Sequence, residues 1–510
     1  MIEALTMTFF VLMTACAFFV LVAGVYNFSL LVKYRGLRGP DPEPLGHFTE
    51  AELPRVTIQL PVYNEGVLAA QCLRLAAELD YPNDKLEIQF LDDSDDGVTG
   101  DIATKTIDEL RQKYPDIVFQ YFHRTDRTGF KAGGLKLGTE NMSGDFVAIF
   151  DADFQIPRDY LRRTIHYFKD SRVGAVQARW DYCNVHQSLM TRLQANKLDL
   201  HQMAEQSGRA RAGKIAIFHG TAGIWRAEAL HDAGGWNCVS EVEDVEVTLR
   251  ACVRGWRITY LDHYRVLSEL PETISGYVRQ QMRWRRGWSR IAIRYSGEIW
   301  RSALPWRLKL DFLCRLHVGW AAVLGVAMTM LVLPYFAVAE EFGLLQLAIA
   351  IYLASLGVSL LGRHFEMKTL EEDPQARTPL SLPLWLRPLP LSYLITTMGM
   401  LWPLVQATLE GFGKSQVWEV TPKSGTTSLS TGHMMTPTRG KVPGYVLGTL
   451  ALSATSSVLV VVAFLYLHPI AALFYGTQAL GGGYIGLLLL RFHGYDLTFG
   501  VLDRVVRVAR

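Results

Sequence analysis

The chain places acidic residues directly after apolar runs, where their carboxylates could bind a cation. The run Phe146–Phe150 (FVAIF) is followed by Asp151 and Asp153, with one alanine between them. In an extended chain, residues two apart point the same way, so both carboxylates would face one site. One or two such carboxylates hold an octahedral divalent cation together with substrate phosphates. The spacing indicates a metal site at Asp151 and Asp153, although the same pattern also arises by chance.

A second acidic cluster, residues 92–96 (DDSDD), follows the apolar run LEIQFL. Asp95 and Asp96 are interpreted as parts of a solvated turn. Asp92 and Asp93 come directly after the apolar run, where unpaired carboxylates repel each other unless solvent or a cation is present. These two residues are therefore candidates for binding a ligand.

Two further acids, Glu243 and Asp244, belong to the segment VED that follows a Gly-Gly-Trp sequence. A buried acid here could act as a general base if its carboxylate reached a reacting hydroxyl. Acids are also common at the start of a helix, where the helix dipole favours negative charge. From these residues alone, the second interpretation is favoured.

The segment 280–284 (QQMRW) combines an amide, a guanidinium group and an indole. On a helix, Gln280, Arg283 and Trp284 share one face. The guanidinium fork suits a pyrophosphate, and the indole offers a plate for a sugar ring. A membrane-interface helix with snorkelling arginine and tryptophan side chains would have the same composition. Both interpretations can hold together.

Short β-rich runs alternate with helix-periodic segments through this part of the chain, which is typical of a largely parallel sheet covered by helices. Ligands bind beyond the carboxyl ends of the strands in such sheets. The predicted strands are Arg55–Leu60, Leu86–Leu91, Ile117–Phe122 and Phe146–Phe150, and helices are expected over Glu65–Leu79 and Asp101–Tyr114.

Composition excludes several classes of protein. The 51 Lys and Arg nearly balance the 49 Asp and Glu among 510 residues, so a polybasic nucleic-acid-binding protein is excluded and no nucleic-acid partner is expected. The chain contains no GxxxxGK[ST] motif and is therefore not a P-loop NTPase. Its six cysteines form no CxxC pair and are expected to be reduced thiols.

Charge-free stretches long enough to span a bilayer lie on both sides of the α/β region, so a lipid bilayer is expected as a partner. They are Ala4–Val32, Val318–Ala339, Phe342–Gly362, Pro388–Leu409, Val442–Leu467 and Pro469–Leu490.

The distribution of basic residues predicts the topology. Arg35 and Arg38 follow the first stretch and place the central region in the cytoplasm by the positive-inside rule. If Pro388–Leu409 lies in the membrane plane or is re-entrant, the basic segments after it are also cytoplasmic. Five spans with an external N-terminus are therefore favoured, and six spans with a relaxed charge rule are the alternative.

The ordered series DDSDD, DAD, VED and QQMRW between membrane segments resembles the family 2 inverting glycosyltransferases. Within them it resembles the membrane-embedded synthases of cellulose, hyaluronan and plant cellulose-synthase-like polysaccharides. The third motif departs from the family pattern because Val242 stands where threonine is usual. Segments 129–135 (GFKAGGL) and 218–226 (FHGTAGIWR) look closest to the plant mannan and xyloglucan-backbone synthases, and segment 418–423 (WEVTPK) is similar to the gating loop of bacterial cellulose synthase.

This resemblance implies an α/β GT-A (Rossmann-like) catalytic domain inserted in an α-helical transmembrane protein. The implied organisation is an N-terminal transmembrane helix (1–33), a cytoplasmic GT-A domain (50–305), two transmembrane helices with an interfacial helix and gating loop (306–440), and two further helices with a basic cytoplasmic tail (441–510).

The resemblance also implies a role for each candidate residue. Asp244, with Glu243 beside it, would be the general base, and Gln280 and Arg283 would stabilise the leaving nucleotide diphosphate. The residues implied to bind the nucleotide sugar are Asp92, Asp93, Lys131, Asp151, Asp153, Thr421 and Lys423, the pair Asp151 and Asp153 acting through Mg²⁺ or Mn²⁺. The residues implied to bind the acceptor are Phe218, His219, Gly220, Thr221 and Trp284.

The implied function is an inverting membrane β-glycosyltransferase that adds hexoses from a nucleotide sugar to a growing polysaccharide and exports the product. UDP-glucose is slightly favoured as the donor over GDP-mannose. Single-step transfer to a lipid acceptor is the alternative activity. A sugar-binding or transport protein with an inactive transferase domain is the alternative from a different class.

Overall fold

The computed structural model describes residues 2–338, scattered positions from 347 to 368, and residues 396–413, 442–465 and 469–492. Several expectations lie outside the described residues. They concern the gating loop with Thr421 and Lys423, about half of the predicted span Phe342–Gly362, the first part of Pro388–Leu409, and the basic tail after residue 492.

The central region is built on one seven-stranded sheet with the strand order β3-β2-β1-β4-β6-β5-β7. The pairs β1–β2, β1–β4, β2–β3 and β5–β7 are parallel, whereas β6 runs antiparallel to β4 and β5. The largely parallel sheet predicted from the sequence is therefore confirmed. The strands are β1 (Val56–Val62), β2 (Leu86–Asp92), β3 (Val118–His123), β4 (Phe146–Ile149), β5 (Val173–Tyr182), β6 (Gly223–Arg226) and β7 (Arg257–Ser268).

The central strands are buried on both faces, as expected where helices cover a parallel sheet. Every residue of β2 and β4 is buried, whereas the edge strand β3 alternates between buried and exposed positions. The main hydrophobic core lies between these strands and the helices α2, α3 and α5. The helices up to this region are α1 (Ile2–Leu37), α2 (Val67–Ala77), α3 (Thr99–Lys113), α4 (Phe130–Glu140) and α5 (Tyr160–Thr164).

The second half of the α/β region leads into a long helix that ends near the predicted membrane segments. Its helix α10 begins after Thr273, whose side chain accepts a hydrogen bond from the backbone N–H of Gly276. The helices are α6 (Leu189–Leu200), a π-helical segment (His201–Ser207), α7 (Gly208–Arg211), α8 (Ala227–Asp232), α9 (Glu243–Val253), α10 (Ile274–Arg301), α11 (Trp306–His317) and α12 (Trp320–Val338).

Three of the described helices are long and apolar enough to cross a membrane: α1, α14 (Gly444–Leu465) and α15 (Pro469–Phe492). The pair α11 and α12 makes a fourth if it is taken as one span bent by 53°. The described part of Pro388–Leu409 includes the ten-residue helix α13 (Leu401–Glu410), which is too short to span a bilayer by itself. The predicted number of five spans stays a prediction.

Candidate active site

A cleft of about 210 Å³ opens at the carboxyl ends of β1, β2 and β4. The four sequence motifs, which lie far apart along the chain, all contribute side chains to it. From these motifs the cleft is lined by Asp93, Asp151, Asp153, Glu243, Asp244, Gln280, Arg283 and Trp284, and Lys131 lies among them. The parallel strands thus collect the predicted residues at one edge of the sheet.

The two acids at the end of β2 point in different directions. Asp93 lines the cleft, and both of its carboxylate oxygens accept hydrogen bonds from the guanidinium of Arg124, at 2.7 and 2.5 Å. Asp92 is 1% exposed and does not line the cleft. Its carboxylate accepts hydrogen bonds from the Tyr121 hydroxyl at 2.8 Å and the Ser94 backbone N–H at 2.9 Å. Asp93 therefore remains the candidate for a ligand contact, whereas Asp92 positions the loop.

The acids after β4 lie at the floor of the cleft. The backbone N–H of Asp151 donates to the Thr221 hydroxyl at 2.9 Å, and its carboxylate forms an ion pair with Lys131. The same Lys131 ammonium donates to the carbonyl oxygen of Gly220 at 2.9 Å. Asp153 is buried and accepts a hydrogen bond from the backbone N–H of Glu269 at 3.4 Å. Lys131 thus connects the Asp151 carboxylate to the loop after residue 217.

The residues at this floor fit a divalent cation that is shared with a substrate. Asp151, Asp153 and Glu269 all line the cleft, and carboxylate oxygens suit Mg²⁺ and Mn²⁺. Among the described residues, no group of three or more His, Cys, Asp or Glu side chains is arranged to hold a metal ion alone. Such cations commonly take one or two protein carboxylates and complete their coordination with phosphate oxygens.

Glu243 and Asp244 occupy the first turn of α9, so the interpretation as acids at the start of a helix is correct for their position. They also line the cleft. Burial raises the pKa of Asp244 to about 7, and the adjacent Glu243 carboxylate adds to the rise. Burial likewise raises the pKa of Glu243. A carboxyl group with a pKa near neutrality can take up a proton during a reaction and release it afterwards.

The absence of a side chain at Gly220 leaves room for the Asp244 carboxylate. Gly220 has a φ of +81°, and a Cβ atom at this position would lie 3.3 Å from Oδ2 of Asp244. Any other residue here would be strained in its backbone and would press on the candidate base. The conformation of the loop at residue 220 therefore requires glycine. The carbonyl oxygen of Gly220 accepts a hydrogen bond from the Lys131 ammonium.

The predicted face of α10 is confirmed, because Gln280, Arg283 and Trp284 all line the cleft. The side-chain oxygen of Gln280 is buried and accepts no hydrogen bond from the described residues. Burial lowers the pKa of Arg283, while the carboxylates of Glu243 and Asp151 act in the opposite direction. The guanidinium therefore lies within the electrostatic reach of both acidic motifs, as a group that stabilises a diphosphate would have to.

Only two of the four residues predicted around the acceptor from the segment FHGT reach the cleft. His219 and Gly220 line it, and burial holds the pKa of His219 well below its ordinary value. The Phe218 side chain lies in the core against Trp225. Thr221 is buried and serves as the acceptor for the Asp151 backbone N–H. Phe218 and Thr221 thus do not line the cleft, and their predicted role at the acceptor stays a prediction.

A second cavity of about 330 Å³ continues from the first. The two share six lining residues, namely Trp180, Leu198, His219, Val242, Asp244 and Trp284. The second cavity extends to Gly24, Asn27 and Phe28 of helix α1. Asp244 and Trp284 therefore lie where the cleft lined by the four motifs meets a cavity that extends to α1, a candidate membrane span.

Glu269 and Arg127 are among the cleft residues that could not be singled out from the sequence. Glu269 follows β7 directly, so the rule that found the other acids would have found it if β7 had been recognised as a strand. The guanidinium carbon of Arg127 lies 3.4 Å from the ring centroid of Tyr63, and both residues line the cleft. No sequence pattern indicates that contact, because the two residues are far apart in the chain.

The α/β region is similar in sequence to known proteins. Residues 54–287 match the family described as glycosyltransferase-like family 2. The chain is 38% identical over 256 residues to glucomannan 4-beta-mannosyltransferase 7 of Arabidopsis thaliana, covering 49% of this chain and 46% of that protein. It is 37% identical over 274 residues to glucomannan 4-beta-mannosyltransferase 1 of Oryza sativa subsp. japonica, covering 53% and 52%. The chain thus spans about half the length of the curated relatives it matches.

The fold is similar to that of a solved structure. That structure is the mannosyltransferase PcManGT from Pyrobaculum calidifontis in complex with GDP-Man and Mn²⁺, with a TM-score of 0.50 and 21% identity. The match covers 74% of this chain and 100% of that protein. The predicted GT-A type of α/β fold, with candidate membrane helices toward both ends of the chain, is confirmed.

Proposed function

We propose that this chain, whose residues 54–287 form a glycosyltransferase domain of family 2, transfers mannosyl units from GDP-mannose to the end of a growing β-linked mannan or glucomannan. The observation that carries the proposal is the position of Asp244, which lies at the junction of the two cavities. The preference for UDP-glucose in the sequence analysis is not supported, because the related plant proteins are mannosyltransferases.

The donor would occupy the first cavity. Its nucleotide would lie near Asp93, and its diphosphate would lie between the acids of the DAD motif and the Arg283 guanidinium. A divalent cation held by Asp151 and Asp153 would neutralise charge on the diphosphate oxygens. Lys131 reaches the same region and would exchange its contact with Asp151 for a phosphate oxygen. These roles follow from the charges lining the cleft.

The transfer would be a single inverting displacement. The oxygen of an acceptor hydroxyl forms the new bond to the anomeric carbon while its proton passes to the Asp244 carboxylate. The bond between the anomeric carbon and the phosphate oxygen breaks, and its electron pair leaves with GDP. Gln280 and Arg283 stabilise the negative charge that develops on the leaving oxygen, and stabilisation of this kind commonly contributes more to catalysis than any other effect. Trp284 lines both cavities, as Asp244 does, and its indole would stack against the sugar ring of the acceptor.

The second cavity supports a polymeric acceptor and export of the product. It leads away from Asp244 toward helix α1, a candidate membrane span, so a chain lengthened at the junction would have a path to the membrane. This path agrees with a transferase domain on the cytoplasmic side, which the basic residues after α1 also favour. A lipid-linked acceptor would also reach the junction from the membrane, and single-step transfer to such a lipid is the second candidate.

The test offers the purified full chain labelled GDP-mannose and labelled UDP-glucose, each with Mg²⁺ or Mn²⁺. The expected result is a polymer formed from GDP-mannose that an endo-β-1,4-mannanase degrades. A single labelled glycolipid would instead support the second candidate. Asp244→Asn should lower transfer at least about 100-fold. Asp101 is an exposed acid on α3, and Asp101→Asn should leave transfer unchanged. Absence of transfer from GDP-mannose by the unaltered protein would refute the proposed donor.

A further inference from the structure

The second cavity contains a tryptophan that no sequence motif includes. Trp288 lies on α10 one turn beyond Trp284, and both side chains line this cavity. Residues four apart on a helix share a face and are separated by about 6 Å along its axis. Two indole rings therefore follow each other along the wall of the cavity, starting beside Asp244.

A buried arginine with unused hydrogen-bonding capacity accompanies Trp288. The side chain of Arg315 is 4% exposed, lines the cavity, and has its guanidinium carbon 5.3 Å from the Trp288 ring centroid. None of its three guanidinium nitrogens has a hydrogen-bond partner among the described residues. A buried donor without a partner is unfavourable, so a bound group that accepts hydrogen bonds would stabilise this site.

The polar groups of Glu205 and His219 favour a neutral ligand next to Arg315. The Glu205 carboxylate lies 3.8 Å from the Arg315 guanidinium and belongs to the π-helical segment, a feature frequent at functional sites. A second negative charge placed there would be repelled by Glu205. Nδ1 of His219 is also buried without a hydrogen-bond partner in the part of the chain that the structure describes. Unused donors, a carboxylate acceptor and an indole face are together suited to a neutral ring that carries several hydroxyls.

We propose that Trp288, Arg315 and Glu205 form a subsite for the second sugar ring of the acceptor. The first ring lies on Trp284 with its hydroxyl at Asp244, and the second lies on Trp288 with its hydroxyls bonded to Arg315 and Glu205. This inference rests on the proposed function. It predicts that an acceptor of two sugars is used better than an acceptor of one, and that Trp288 is the reason.

The test measures kcat/KM for mannose, β-1,4-mannobiose and β-1,4-mannotriose as acceptors, with GDP-mannose as the donor. The unaltered protein should use mannobiose about 3- to 10-fold better than mannose, the range typical of one aromatic contact. Trp288→Ala should remove that advantage, and Trp288→Phe should retain most of it. Arg315→Gln should reduce the advantage as well. Trp300→Ala is the matched control, because Trp300 is on the same helix, is 61% exposed and does not line the cavity.

A second measurement is the length of the polymer made from GDP-mannose alone, which should be shorter for Trp288→Ala than for Trp300→Ala. If Trp288→Ala does not purify in a folded form, Trp288→Leu replaces it in both measurements. An unaltered preference for mannobiose together with unaltered product length in the Trp288 variant would overturn the inference. If the unaltered protein transfers no mannose to any acceptor, the proposed function fails instead, so the two failures are distinguishable.

Discussion

The pH dependence of transfer tests the assignment of Asp244 as the base. Its carboxyl must be ionised to accept the proton of the acceptor hydroxyl, and its pKa is raised to about 7. Because the ionised fraction falls about tenfold for each pH unit below the pKa, kcat/KM should drop to roughly one tenth of its plateau at pH 6. Asp244→Asn should lose at least about 100-fold in kcat, the lower end of the range for a general base.

The sharper perturbation is Glu243→Gln. Burial is the main cause of the raised pKa of Asp244, and the negative charge of Glu243 is the next. Removing that charge while keeping the shape of the side chain should lower the pKa of Asp244 by roughly one pH unit. The acidic limb of the plot of kcat/KM against pH should then shift so that its midpoint lies near pH 6. At that pH the variant should retain about half of its own maximal kcat/KM.

The assay is the initial rate of labelled transfer from GDP-mannose between pH 5 and 9, with each variant compared with its own plateau. Glu228→Gln is the matched control, because Glu228 is an exposed acid on α8 and its substitution changes the net charge equally. The control should keep the acidic limb of the unaltered protein. If the limb stayed in place in Glu243→Gln, or moved to higher pH, the electrostatic coupling of the two carboxyls would be refuted.

Three further predictions concern the floor of the cleft. Lys131→Met should lower kcat/KM for the donor about 10- to 100-fold, because its ammonium is bonded to both the Asp151 carboxylate and the Gly220 carbonyl; donor titrations measure this. Gly220→Ala should lose more than about tenfold in kcat with the fold retained in circular dichroism, because the new Cβ would press on Asp244 at a positive φ. EDTA should abolish transfer and Mn²⁺ restore it, and Asp153→Asn should raise the Mn²⁺ concentration needed for half-maximal rate, whereas a rate insensitive to EDTA would contradict the metal site.

Much of the site could be predicted because a parallel sheet brings distant strand ends to one edge. Asp93, Asp151 and Asp153 are recognisable as acids that directly follow apolar strands. The helical spacing of Gln280, Arg283 and Trp284 is sufficient to place them on one face. In both cases the periodicity of the strand or helix determines the direction of the side chain. The topology of the sheet then brings these elements together at one edge.

Other features depend on contacts that no local pattern encodes. Consecutive residues of a strand point to opposite sides, so one of Asp92 and Asp93 had to turn away from the cleft. Tyr121 of β3 donates a hydrogen bond to Asp92, and Arg124, the first residue after that strand, donates to Asp93. These contacts determine which carboxylate faces the cleft. Similarly, Phe218 lies in the core because the loop before Gly220 folds over Trp225, a contact that only the tertiary structure creates.

Helix α1 is connected to the catalytic region by buried polar contacts rather than by a linker alone. Its Tyr26 hydroxyl donates to the Asp311 carboxylate at 3.2 Å, and Asp311 also pairs with the buried Arg209. Further along the same helix, the Tyr34 hydroxyl donates to Asp262 at 3.3 Å, which pairs in turn with the buried Arg179.

Each tyrosine hydroxyl donates a hydrogen bond to a charged carboxylate, and such a bond contributes about 1.5–3 kcal/mol, so displacement of α1 from these two clusters would be opposed. Between the two anchoring tyrosines, Asn27 and Phe28 of the same helix line the second cavity. The clusters therefore help to keep this wall of the cavity in a constant position. A polymer that advances by one sugar per reaction needs this constancy, because each new terminal hydroxyl must return to the same base. On this reasoning α1, a candidate membrane span, would also form part of the proposed acceptor site.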